Sequence, residues 1–467
     1  MTTVWQPRPW QHQMIDHLLS HERCALWADL GMGKTSTTLI ALDALKLAGE
    51  TKKSLIIGPL RVARDVWPDE VGRWAQLAGF NVQPIIGSLD ERRAALRNDK
   101  ADAYAVNYDN VPWLIETLGD AWPFDTVVAD EARRLKGHRL KQGGKRTEAL
   151  SKIAFTKVRR WWNLTGRPAP NGLVDLWGAT YFLDQGFRLG RSFDAFQNRW
   201  FGFQRMQDAV HSNQSHVQRV VFPHAQAEIQ DLLRDICLTV DPKDWFKVDE
   251  PIHRVVSVKL PAKARRHYRE MEKEMFTELE EHEIESFGGA AKTMRCIQLT
   301  GGALYLDDTG TKWGVTHTEK IEALKSILNE ASGSVLVAYH FKHELARLKE
   351  AFPEGADLAT QAGMARFKAG EAEVGFGHPA SMGHGVDGLQ YVCNTAVFYT
   401  SSWDLDQRDQ FIGRIGPTRQ HQAGFDRPVF LYSIIAEDTI DELVLERLES
   451  KRSVQEILLE AMKRRRE

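Results

Sequence analysis

Two stretches of this 467-residue chain carry residue types that handle phosphate. The first, Asp29-Leu30-Gly31-Met32-Gly33-Lys34-Thr35, follows a short apolar run, Cys24–Ala28. After it, Leu39, Ile40, Leu42 and Leu45 recur at helical spacing across Thr35–Lys46, with Gly49 as the stop. Gly31 and Gly33 let backbone N–H groups curl round phosphate oxygens with no Cβ in the way. The helix that follows turns its positive end to the same anion. Lys34 then reaches the β- and γ-phosphates of a nucleoside triphosphate, and the Thr35 hydroxyl ligates Mg2+. The strict pattern has Gly where Ala28 stands, so the loop is of the relaxed form.

The second stretch, Asp130-Glu131-Ala132-Arg133, ends the apolar run Thr126–Ala129. A carboxylate at the tip of a strand in a parallel sheet lies beside such a loop. Asp130 is placed to hold Mg2+, and Glu131 to orient or deprotonate an attacking water. Each stretch has a plainer reading when taken singly. The first is then a glycine-rich turn with an incidental Lys and Thr, the second a charge pair at a helix N-terminus. Both together, in this order, favour nucleotide binding with a catalytic carboxylate pair.

The elements that must hold these residues alternate in type. Cys24–Ala28, Ser54–Ile57, Ala103–Asn107, Phe124–Ala129 and Trp161–Leu164 read as strands, each closed by a polar or Gly/Pro break, with helix-period stretches between. From Asn171 to about Lys247 the strand signal weakens, and a Glu/Lys/Arg-rich helix runs from Pro261 to about Gly288. Strand candidates return at Ser334–Tyr339, Val374–Gly377, Thr395–Tyr399 and Val429–Ile435. A last helix opens on Thr439 and Glu442, a capping-box spacing. Strand–helix alternation implies parallel βαβ units with both sheet faces covered. The expected fold is therefore α/β, with two parallel-sheet lobes. The first covers residues 1–240 with a helical insertion at about 172–240. The second covers 241–467 with an insertion at about 261–315 and the C-terminal helix.

Composition narrows the classes. With 61 Lys+Arg against 63 Asp+Glu the chain cannot coat nucleic acid by bulk charge, although a local basic groove passes that test. Cys24, Cys237, Cys296 and Cys393 form no CxxC pair, so neither a disulfide framework nor a zinc knuckle is encoded, and reduced thiols are expected. Met1 to Gln13 lacks the apolar core of a signal peptide, and no apolar run reaches membrane-span length; a cytoplasmic protein away from membranes is expected. Trp177–Arg205 interleaves aromatics with arginines, which suits stacking on bases; the favoured reading is core aromatics with solvated arginines. Lys463–Arg466 is a basic tail that could touch phosphate. His378 and His384 read as loop or core histidines rather than metal ligands.

Taken in order, these motifs and several others resemble superfamily-two helicases, and among them the Swi/Snf-like ATPases of the compact phage and bacterial type. Arg8-Pro9-Trp10-Gln11 is similar to the family's adenine-reading segment, with Gln11 at the glutamine. Ile57–Leu60 resembles the first nucleic-acid-contacting motif, Asn107-Tyr108 the tyrosine motif after it, and Leu164–Pro170 with Asn171 the motif that couples hydrolysis to movement. Ser381-Met382-Gly383-His384-Gly385 with Leu389-Gln390 resembles the motif touching both DNA and nucleotide, and Gln407–Gln420 the arginine-finger motif. The chain departs from the pattern at Arg133, Arg167 and Pro417, where the family usually has His, Thr and Arg.

The resemblance implies two RecA-like lobes, ATP with Mg2+ as cofactors, and a monomeric translocase on DNA, duplex favoured over single strand, with RNA as an alternative. It places Gln11, Gly31, Gly33, Lys34, Thr35 and Gly385 at the nucleotide and Thr35 and Asp130 at the metal. Lys34, Glu131, Arg414 and Arg419 become catalytic, the two arginines as fingers that complete the site when the lobes close, Arg414 fitting the motif spacing better. A strand-separating helicase and a nucleotide-switched remodelling module are the competing readings.

Overall fold

The computed structural model describes residues 3–140, 143–166, 168–169, 172–207, 215–247, 249–281, 288–307, 309–382 and 386–450. The chain divides into two compact units, Met1–Phe246 and Lys247–Glu467.

In the first unit the strands are β1 (Arg23–Ala28), β2 (Ser54–Gly58), β3 (Val82–Pro84), β4 (Ala103–Asn107), β5 (Thr126–Asp130) and β6 (Arg160–Thr165). A hairpin, β7 (Phe201–Gln207) with β8 (Ser215–Val221), and then β9 (Cys237–Val240) complete the set. Seven of them form one sheet in the order β3-β4-β2-β5-β6-β1-β9, and every pairing in it is parallel. Alternate residues enter different cores. Leu55 and Ile57 of β2 face one cluster with Trp161, Trp177 and Phe196, while Ile56 faces another with Met14, Leu39 and Leu42. This is how a near-continuous apolar run buries a strand on both faces. Helices Pro9–Ser20 and Lys34–Leu47 cover the second face, and helices between Val111 and Leu233 cover the first.

The region 172–240, expected as a helical insertion, contains helices but also three strands. The antiparallel pair β7–β8 stands outside the main sheet, whereas β9 returns to pair with β1. Its aromatics are largely core: Trp177, Phe182, Phe196 and Trp200 are fully buried, although Phe187 and Phe203 are exposed. Arg188 and Arg199 sit at ion pairs with Asp184, Asp235 and Glu228.

The second unit contains β10 (Ile252–Val258), β11 (Ala303–Tyr305), β12 (Trp313–Val315), β13 (Val335–Ala338), β14 (Ala356–Asp357), β15 (Val374–Gly377), β16 (Thr395–Phe398) and β17 (Phe430–Ala436). Six form a second sheet of the order β10-β17-β16-β13-β15-β14, again wholly parallel. Helices Ala262–Glu281 and Gly288–Thr300 pack on each other before the small antiparallel pair β11–β12. The architecture of each unit is RecA-like α/β. No described helix is long and apolar enough to cross a membrane. All four cysteines are buried free thiols.

The start of the last helix, Ile440–Ser450, departs from a simple capping box. Thr439 Oγ1 accepts the Asp441 N–H at 3.2 Å, and Glu442 reaches the Asp438 N–H at 2.9 Å. Asp441 is recruited elsewhere, to a fully buried Lys320 whose Nζ lies 2.7 Å from its Oδ2. Thr300 Oγ1 and the Ala436 N–H also donate to that carboxylate. Removing one partner of a buried pair strands the other charge, at a cost of about 3–5 kcal/mol. Lys320→Met, which keeps the volume and deletes the charge, is expected to lower the thermal midpoint of the protein by several degrees. An unchanged melting curve would show that the pair contributes nothing.

Candidate active site

The phosphate loop joins β1 to the helix Lys34–Leu47, which starts one residue earlier than its apolar spacing suggests. Gly31 and Gly33 both have φ of 84°, a left-handed conformation that costs glycine nothing. A Cβ on Gly33 would also stand 2.2 Å from Gln11 Nε2, so the Gln11 side chain lies directly against the loop. The N-terminal helix braces it further, with Trp10 Nε1 donating to the Met32 carbonyl at 3.1 Å. Trp10 is itself held by Trp245 and Phe246, at ring-centroid distances of 5.6 and 5.0 Å. Lys34 Nζ folds back on the loop carbonyls of Ala28 and Asp29. Thr35 lies half-buried in the first helical turn, where Ser36 and Thr37 donate to the Gly33 carbonyl.

Register places the second motif beside this loop. Asp130 pairs with Leu164 of β6, and Leu164 pairs with Leu26 of β1, so Asp130 stands two strands from the strand that feeds the loop. Two strand spacings are about 10 Å, and the Lys34 charge is felt at Asp130. Burial, followed by the neighbouring Glu131 carboxylate, pushes the Asp130 carboxyl up to about 7. Lys34, the Trp67 indole and the Glu131 N–H act in the opposite direction. Trp67 Nε1 donates to Oδ2 at 3.1 Å, and the Glu131 N–H to Oδ1 at 3.0 Å. The Tyr108 hydroxyl donates to the Asp130 carbonyl at 2.8 Å, fixing the strand end from below. Glu131 has φ 54° and ψ 49°, which for a residue with a Cβ costs on the order of 1 kcal/mol. That turn swings the Glu131 side chain out of the strand line and toward Arg133, whose Nε is 3.1 Å from Glu131 Oε2.

Gln11, Gly31, Gly33, Lys34, Thr35, Asp130 and Glu131 thus all belong to the carboxyl-end region of one sheet. Trp67 is a member of the site that sequence reasoning missed. It stands between charged residues, after Arg64-Asp65 and before Pro68-Asp69-Glu70, and carries no motif; only its buried N–H, which needs an acceptor, hints at more. Tyr108, in the segment that resembles the family's tyrosine motif, has its hydroxyl on the Asp130 strand end.

In the second unit, Arg414 is buried and its Nη1 donates to the Val386 carbonyl at 2.8 Å. Arg419 pairs with Asp387. Both arginines therefore hold the segment just after residues 383–385. Gln410 Nε2 reaches Asp406, while Gln420 bonds the carbonyls of Cys393 and Ile415 and accepts from Arg427. Gln420 is a structural clamp. Gly385, with Gly383 and His384, lies outside the described residues, as do Arg167, Pro170, Asn171 and the basic tail Lys463–Arg466.

A parallel sheet whose first strand feeds a phosphate loop, with a carboxylate pair two strands away, defines a nucleotide-binding α/β protein. Residues 10–301 match the SNF2-related domain. The chain belongs to this family of helicase-superfamily-two ATPases. It is 53% identical over 465 residues to "Putative protein p41" of Acyrthosiphon pisum secondary endosymbiont phage 1, covering 99% of this chain and 100% of that protein. It is 29% identical over 202 residues to the DNA repair and recombination protein RDH54 of Saccharomyces cerevisiae, and 31% over 212 residues to Helicase SWR1 of the same yeast. The chain spans only 21% and 13% of those two relatives. The Sulfolobus solfataricus SWI2/SNF2 ATPase core in complex with dsDNA aligns with a TM-score of 0.44 and 19% identity, covering 96% of this chain and 92% of that one.

Proposed function

We propose that the protein is a DNA-dependent ATPase that couples hydrolysis of ATP to movement along duplex DNA, acting in the cytoplasm as a monomer. The observation that carries the catalytic part is the register that sets Asp130, at the end of β5, two strands from β1, whose loop leads directly to Lys34. The DNA part is supported by family membership and by the yeast relative whose name records DNA repair and recombination.

The residues fit a triphosphate with Mg2+. Gly31 and Gly33 both hold the left-handed turn that points loop N–H groups at an anion, and the missing Cβ at Gly33 lets Gln11 lie against the loop. Asp130 is a carboxyl raised by burial and by the neighbouring Glu131 carboxylate, a setting that a divalent cation would stabilise, and Thr35 offers a second hard oxygen. Bound Mg2+ neutralises charge on the phosphoryl oxygens. Lys34, released from the Ala28 and Asp29 carbonyls, offers its ammonium to the β/γ-phosphates, while loop N–H groups and the helix N-terminus face the anion. Gln11, against the loop, is positioned for the base. Glu131 takes the proton of the attacking water. Arg414 and Arg419 are the proposed catalytic arginines, and Gly385 a proposed nucleotide contact.

Steady-state hydrolysis measured without polymer, with single strands and with duplex tests the reading. Turnover should rise about tenfold or more with duplex, and the protein should displace a third strand from a triplex without opening a fork. Indifference to nucleic acid would overturn it.

A further inference from the structure

Glu131 does not meet its water with a freely turning side chain. Arg133 Nε lies 3.1 Å from Glu131 Oε2, and the two side chains are only 12% and 11% exposed. Arg133 belongs to the short turn Ala132–Leu135 that starts at Glu131, and the left-handed backbone at Glu131 brings residues two apart face to face. An ion pair this far from solvent is weakly screened and held in one geometry, unlike a surface pair. A guanidinium is a rigid planar donor, so it fixes the direction of the carboxylate it grips.

We infer that Arg133 is a positioning residue that holds Glu131 by Oε2 and so sets the carboxylate's orientation toward the attacking water. The inference rests on Glu131 being the base proposed above. A base misplaced by a rotamer loses rate while substrate binding survives, because the phosphates are gripped by the loop and Lys34 and not by Glu131. The departure of the sequence at this position thereby acquires a partner and a task.

The test is a double-mutant cycle on the full chain with duplex present. Single-turnover rates, the KM for ATP and the affinity for a fluorescent ATP analogue are measured for Arg133→Ala, Arg133→Lys, Glu131→Gln and the Glu131→Gln/Arg133→Ala pair. Arg133→Ala should lower the rate about tenfold with KM and affinity within about twofold, and Arg133→Lys should recover part of the loss. In the Glu131→Gln background, removing Arg133 should lower the rate little further, since its effect on hydrolysis runs through that carboxylate. The same loss in both backgrounds, or an unchanged rate in Arg133→Ala, overturns the inference. If Arg133→Ala does not fold, a wild-type rate in Arg133→Lys overturns it and a partial loss supports it. Wild-type turnover in Glu131→Gln overturns the base assignment itself and the inference with it, so the two failures are told apart.

Discussion

Glu131→Gln is expected to abolish multiple turnover while leaving ATP binding intact. A positioned general base contributes about 10^2- to 10^4-fold; a glutamine of nearly the same shape removes the basicity and, with it, the negative charge that faces Arg133. The left-handed backbone at Glu131 is formed by the strand end and its bond to Asp130, not by the side-chain charge, so the fold should survive. Lys34→Ala should differ in kind. It removes the ammonium that faces the β/γ-phosphates, so nucleotide affinity falls along with turnover. Fluorescent-nucleotide titration beside phosphate release separates the two effects. Undiminished hydrolysis in both variants would reject the site.

Asp130→Asn is expected to trade activity for stability. The Asp130 carboxyl is raised to about 7 in the folded protein, against about 4 in an unfolded chain. Between those values the folded state keeps a proton that the unfolded state releases, so this group's contribution to stability declines as pH rises from about 4 to 7. Above that window the buried charge is a standing cost. The full shift corresponds to about 4 kcal/mol; an asparagine amide accepts from only one of the two N–H groups that Asp130 now binds, which gives back on the order of 1–3 kcal/mol and leaves a smaller net gain for the uncharged variant. Melting curves without nucleotide should show Asp130→Asn pulling ahead of the parent protein between pH 5 and 8, while Mg2+-dependent hydrolysis is lost. A variant less stable than the parent at pH 8 would contradict this account of the burial.

Much of this was legible in the sequence for definite reasons. Strands β1, β2, β4, β5, β6, β13, β15, β16 and β17 announce themselves because buried parallel strands are unbroken apolar runs with polar ends. The strands that were missed lack that signature. β3 is Val-Gln-Pro and β14 only Ala-Asp, too short for any period. β10 is an exposed edge, Ile-His-Arg-Val-Val-Ser-Val, without an apolar run. The hairpin β7–β8 and β9 hide in a region where bulky aromatics suggest helices.

The candidate site shows the same division. Glycines, Lys34, Thr35 and the carboxylates are readable because their chemistry demands fixed spacing along the chain. Trp67, the Tyr108 hydroxyl and the Arg133 grip on Glu131 are not, because they act through contacts set by tertiary folding. The Thr439–Glu442 spacing likewise predicts a helix start correctly, but not that Asp441 would be drawn to Lys320.

The most direct measurement of the central claim is a crystal structure with Mg2+ and a non-hydrolysable ATP analogue. The account predicts the triphosphate in the turn Asp29–Thr35, Lys34 moved from the Ala28 carbonyl to the phosphates, and the metal bound by Thr35 and Asp130. An analogue bound away from that turn, or a metal without Asp130 among its neighbours, would contradict it.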